Sequence, residues 1–202
     1  TNGFPARYGG RLSSVMNVRL KDGNQSGYNG SVKLSLPAIK GHIEGPLFTD
    51  RTTFNLAGRV SFIDEYINPL IGDIINYENI DLNYHDIVGK LTHRFSNAKK
   101  LSLSYYTGRD YIGLRRLNNS TDGEGSRFTT DSNNAVQWGS TVWNLKYTDI
   151  LTDNLQLTAN LGGITYENNS RADFLVTSVT ENLETSQELE LIASSRIEDQ
   201  MF

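Results

Sequence analysis

The chain has 202 residues, 37% of them apolar, and a net charge of −4. That length fits one large domain or two small ones, the apolar share is below that of soluble globular domains, and the acidic balance leaves no basic footprint for nucleic acid. The lack of Cys excludes disulfides, thiolate metal sites and Cys nucleophiles, and the lack of any run of about 18 apolar residues excludes a membrane-spanning helix, though not a transmembrane barrel.

Abundant Gly, Tyr, Asn, Ser and Thr suit strands and turns. Apolar and polar residues alternate with period 2 from about residue 30 to residue 166. In residues 31–36, Val32, Leu34 and Leu36 oppose Ser31, Lys33 and Ser35. After Pro37, Ile39, Gly41, Ile43, Gly45 and Leu47 oppose Lys40, His42 and Glu44. Over 53–63, Phe54, Leu56, Gly58, Val60 and Phe62 oppose Asn55, Ala57, Arg59 and Ser61. Over 86–95, Ile87, Gly89, Leu91 and Phe95 oppose Asp86, Val88, Lys90, Thr92 and Arg94, with His93 interrupting the apolar row. Over 101–107, Leu101, Leu103 and Tyr105 oppose Ser102, Ser104 and Tyr106. Over 139–147, Trp143, Leu145 and Tyr147 oppose Asn144 and Lys146. Over 155–163, Leu155, Leu157, Ala159, Leu161 and Gly163 oppose Gln156, Thr158, Asn160 and Gly162.

Tight turns are expected at 48–51, 97–99 and 152–154. Long polar loops are expected at 64–81 and about 109–134, with a similar stretch after Glu167. From Arg171 the pattern is harder to read: Phe174, Val176 and Val179 hint at strand, while acidic residues 181–199 suit partial helix, and the whole is expected to be an excursion between strands. Short turns at one end and long loops at the other is the arrangement of outer-membrane barrels. The runs also reach roughly the 9–11 residues that a tilted strand needs to cross a bilayer. Phe54, Phe95 and Tyr147 fall on the apolar face near short turns, where an interfacial aromatic girdle belongs. Lys33, Glu44, Arg59, Lys90, Arg94 and Lys146 fall on the other face, where a wet interior suits them and lipid would not.

Two stretches carry a family resemblance. Pro5-Ala6-Arg7-Tyr8-Gly9-Gly10-Arg11, leading into residues 13–21, is similar to the segment that closes the plug of TonB-dependent receptors. Gly45-Pro46-Leu47, then Asp50-Arg51-Thr52-Thr53-Phe54 and Arg59, resembles the first periplasmic turn and next strand of SusC-like barrels. The pattern of residues 82–106 resembles the same family. The resemblance implies an all-β chain: the end of a plug domain with its linker over residues 1–24, then about seven or eight antiparallel strands of a transmembrane barrel of about 22 strands over residues 25–202. It implies location in the outer membrane of a Gram-negative cell, contact with its lipid, and import of a nutrient (glycan, peptide or chelate) driven by a TonB complex. A surface lipoprotein lid of the SusD-like kind is an implied partner. From the same position, Arg7 and Arg11 are candidates to hold the plug against the wall. Most of the plug and the TonB-contacting segment are absent from the sequence, so transport by this stretch alone does not follow.

No enzyme, cofactor or metal site is expected. His42, His85 and His93 are not at ligand spacing. Residues 22–27 begin like a calcium loop but place Lys33 where a bidentate Glu is required. There is no G-x-S-x-G elbow, phosphate-binding loop or dinucleotide fingerprint. Trp138, Trp143, Tyr105, Tyr106 and Tyr111 fit wall packing better than ligand stacking. Tyr66, Tyr77 and Arg115 lie where a ligand or lid would touch. Two other classes remain open: a non-transporting barrel scaffold in a larger outer-membrane assembly or secretion complex, and a soluble β-sandwich binding module.

Overall fold

The structure, a computed structural model, describes residues 18–75, 77–121, 127–180 and 183–189. Arg7, Arg11 and the rest of residues 1–17, where the plug terminus is expected, lie outside the described residues. Among the described residues the fold is all-β, one antiparallel sheet of eight strands with a single helix. The strands are β1 (Asn29–Ser35), β2 (Ala38–Leu47), β3 (Thr49–Ser61), β4 (Asn79–Arg94), β5 (Lys99–Thr121), β6 (Arg127–Thr152), β7 (Leu155–Thr180) and β8 (Leu183–Leu189). They lie in chain order, each hydrogen-bonded to its predecessor and successor. β1 and β8 do not pair, so the sheet is open among the described residues.

The expected strands are present, but the expected loops are corrected in three places. The loop expected at 109–134 is strand over its described residues. Residues 109–121 and 127–134 belong to β5 and β6, paired from Arg109↔Gly139 out to Thr121↔Arg127. The stretch after Glu167 continues β7 to Thr180, and Leu183–Leu189 is strand rather than helix, paired with β7 from Phe174 to Thr180. The loop expected at 64–81 contains helix α1 (Asp64–Ile75), after which β4 begins at Asn79. The physical reason is common to the two hairpins. A backbone ladder needs only extended residues on both strands, whereas alternation is visible only where one face is apolar.

Short connections join β2 to β3, β4 to β5 and β6 to β7 at one end of the sheet. At the other end the expected long connections are mostly not found: β1 and β2 are joined there through Leu36 and Pro37 alone, β8 begins three residues after β7 ends, and the stretch between β3 and β4 is the long one that holds α1. The β2–β3 turn is so tight that Phe48 adopts φ 66°, a left-handed conformation rare for a bulky residue. Ser96 Oγ accepts from the backbone N–H of Ala98 and Lys99 and closes the β4–β5 turn.

α1 is fixed to β4 by one side chain. Asn68 accepts from Ile80 N at 2.7 Å and donates to Ile80 O at 3.0 Å, imitating a strand partner. Ile80 and Ala38 are the only apolar residues among the described ones that are fully buried. Glycines apart, the other buried residues are polar: Glu44, Thr53, Ser61, Thr92, Ser102 and Asp149. This inverts the arrangement of a soluble domain, in which large apolar side chains fill the interior.

Candidate functional site

The two faces of the sheet differ sharply, and the register defines each. Phe54, Leu91, Leu103, Leu145 and Leu161 are successive cross-strand partners in one row over β3 to β7. The neighbouring row is Leu56, Gly89, Tyr105, Trp143 and Gly163. Leu56, Leu91, Leu103 and Leu157 are 41–49% exposed, and Leu161 is 60% exposed. Among the described residues nothing covers this face.

The apolar band has polar limits along β5. Toward the short turns, Lys99 pairs with Asp149 at 3.4 Å. Toward the other end, Arg109 pairs with Glu167 at 3.7 Å, and farther out Arg115 pairs with Asp131 at 2.8 Å. Apolar residues also stand at or past this lower limit: Leu157 opposite Asp149 on β7, Ile150 and Leu151 at the end of β6, and Phe95 beside Lys99. Lys99 and Arg109 are about ten residues apart, or about 33 Å of strand at ~3.3 Å per residue. A strand tilted by ~45° converts that length to a height of about 23 Å, close to the ~25 Å apolar band of outer-membrane barrels.

Lys33, Glu44, Arg59, Lys90, Arg94 and Lys146 all fall on the opposite face by register. There Glu44, Asn55, Lys90, Ser104 and Asn144 form one row, and Thr53, Thr92, Ser102 and Lys146 the next. Arg59 donates to Asp86 at 2.6 Å and lies over the Tyr84 ring, 4.7 Å from its centroid. Lys146 faces the same surface with no ion-pair partner among the described residues.

Residues 18–27, which precede β1, run across this polar face. Asp22 is their hub. Its carboxylate accepts from Lys90 at 2.6 Å, Arg94 at 2.9 Å, Lys100 at 3.1 Å and Thr92 at 3.2 Å. Burial alone would raise its pKa. Hydrogen bonds from Lys90 and Lys100, and their charges, outweigh burial and hold the carboxyl at about 2 against an ordinary 3.8. Leu20 O accepts from Lys90 at 2.8 Å, and Lys21 reaches Glu44 at 2.9 Å. Gly23 lies directly on β3: a Cβ there would fall on the Phe54 carbonyl.

Comparison with protein-family models, curated proteins and solved structures finds no match.

The sequence-predicted residues are therefore located by geometry alone. Tyr147 shares a row with Leu101 and His93, and Phe95, just past β4, meets the His93 ring edge-on at 4.6 Å between centroids. Phe54 is one row farther from the short turns. Tyr105 and Trp143 are direct cross-strand partners near the far limit of the apolar band, a second aromatic pair that reading the strands singly does not group. Tyr66 lies on α1 against Phe62, at 5.7 Å between ring centroids. Arg115 is a strand residue bonded to Asp131. Asp22 and Lys100 are the members of this hub that the sequence reading misses; it places Thr92 on the polar face but assigns it no partner. The available signal was an imbalance: Lys90 and Arg94 recur two pleats apart on β4 with no acid between them on that face.

Proposed function

We propose that this chain is part of a SusC-like, TonB-dependent importer of the Gram-negative outer membrane. Residues 25–202 supply wall strands of a transmembrane barrel, and residues 1–24 are the end of the plug and its linker. One observation carries this reading: an exposed apolar face, limited above and below by ion pairs, backs a polar face on which the buried residues are polar. A lipid-facing exterior and a wet interior produce that inversion. A soluble sandwich would need a second sheet against the apolar face, and none is present among the described residues.

In this reading the substrate binds among the outer ends of β3 to β8, and the outer halves of β5 to β7 stand clear of the membrane. Traction on the plug from the periplasm opens a polar path along the wall. The bonds made by Leu20, Lys21 and Asp22 hold the linker to the wall while the plug moves. A surface lipoprotein lid and the TonB complex are the partners in this scheme.

The test is extraction of the native full-length protein. Retention in the outer-membrane fraction through alkaline washing, release only by detergent, and substrate uptake lost on deletion of the plug are the expected outcomes. Recovery in the aqueous phase without detergent would defeat the barrel. Membrane retention with uptake unchanged by plug deletion would favour a scaffold role.

A further inference from the structure

We infer that the cavity between residues 18–22 and the polar face is an anion-binding site, and that the solute passing this wall carries a carboxylate, sulfate or phosphate group. The inference rests on the importer reading and specifies its substrate class.

The cavity has a volume of about 980 Å³, at the upper end of small-molecule sites. Its charged lining is Arg19, Lys90, Lys100 and Lys146 against the single carboxylate of Asp22. Arg94 competes for the same carboxylate. Lys146, on this lining, has no ion-pair partner among the described residues. It marks an acceptor that the described residues do not provide. The excess is local, since the whole chain carries −4. Clustered like charge in a recess attracts a mobile counter-charge, and ammonium groups bind anions through strong charge-assisted hydrogen bonds. Asn144 and Asn160 amides on the same lining supply neutral donors and acceptors for the rest of a polar solute.

An anionic group could come from a free solute or from a carboxylate of an adjoining protein segment, and titration with citrate distinguishes the two. Citrate is titrated calorimetrically at low salt into the intact protein and into Asp22→Asn and Lys146→Gln, each checked for unchanged heat-modifiable mobility on gels. Saturable binding to the wild type is expected. It weakens by about tenfold in Lys146→Gln, roughly the loss of one charge-assisted bond. It tightens severalfold in Asp22→Asn, which removes the internal competitor for Lys90 and Lys100. A structural role for Asp22 alone would not tighten binding. Absence of citrate binding to the wild type, or binding indifferent to Lys146→Gln, overturns the inference; the former is the result if a protein carboxylate already fills the cavity. The measurement applies whether or not detergent is needed for extraction, so failure here is distinct from failure of the membrane reading.

Discussion

Asp22 and Lys90 are joined at 2.6 Å, which bonds the coil ahead of β1 to the middle of β4. The two residues are far apart in sequence, and Arg94 and Lys100 close on the same carboxylate. The coil is thus held at a defined point of the sheet and does not merely lie on it.

This bond has a pH signature. The Asp22 pKa is depressed in the folded state, from 3.8 to about 2. Its contribution is therefore fully present above about pH 4 and is lost as pH falls through about 2. Discounted for screening by solvent, the shift corresponds to about 1 kcal/mol. Unfolding of the wild type and of Asp22→Asn, followed in detergent as a function of pH, is expected to show a gap of about 1 kcal/mol at pH 6 that closes toward pH 2. A gap independent of pH would mean that the carboxylate charge is not what holds the linker.

Gly23 has no room for a side chain over Phe54. Gly23→Ala is expected to displace the linker from β3 and to cost about 1–3 kcal/mol, as forced overpacking does. Faster cleavage of residues 18–27 by a protease, with the rest of the sheet still protected, is the result that checks it.

Leu103 and Ser104 are chain neighbours on opposite faces. In a membrane wall, Leu103→Lys places a charge in lipid and costs about 2–4 kcal/mol, whereas Ser104→Lys faces the wet side and costs little. Assembly yield and urea stability of the two variants in lipid vesicles measure the difference. In water the exposed Leu103 side chain would tolerate Lys about as well as Ser104 does, so equal behaviour would sink the proposed orientation.

Phe48 sits at φ 66° and is 96% exposed. Phe48→Gly relieves the left-handed conformation at little loss of packing, and a gain of about 1 kcal/mol is expected. Chemical denaturation of the two proteins checks the sign.

Asn68→Ala removes both bonds to Ile80. It leaves a buried backbone pair unsatisfied and is expected to cost about 1–3 kcal/mol. Hydrogen exchange should rise over residues 64–80 and stay unchanged in β5.

What the sequence made legible follows from the same two faces. Phe54, Leu91, Leu103, Leu145 and Leu161 could be assigned to one side because each alternates with a polar neighbour. Beyond Arg109 both sides become wet: Arg115 and Arg116 project to opposite faces, and their β6 partners are Asn133 and Ser132. The alternation disappears there while the ladder continues, so a long hairpin reads as a loop. The Asp22 hub was hidden for another reason. It exists only once the β4–β5 register brings Arg94 opposite Lys100, and no local pattern encodes that pairing. α1 was lost among polar loop residues because it is short and contains Pro69.

The consecutive strand order bears on how such a wall is made. Each ribbon finds its partner in the segment synthesised just before it, so growth needs no distant search. Construction by successive hairpins would leave two rims of unbonded amides at any stage, the fixed one of β1 and the growing one. In the proposed membrane setting lipid tolerates neither for long, and an assembly that never opens a third keeps its most hazardous intermediate as small as geometry permits.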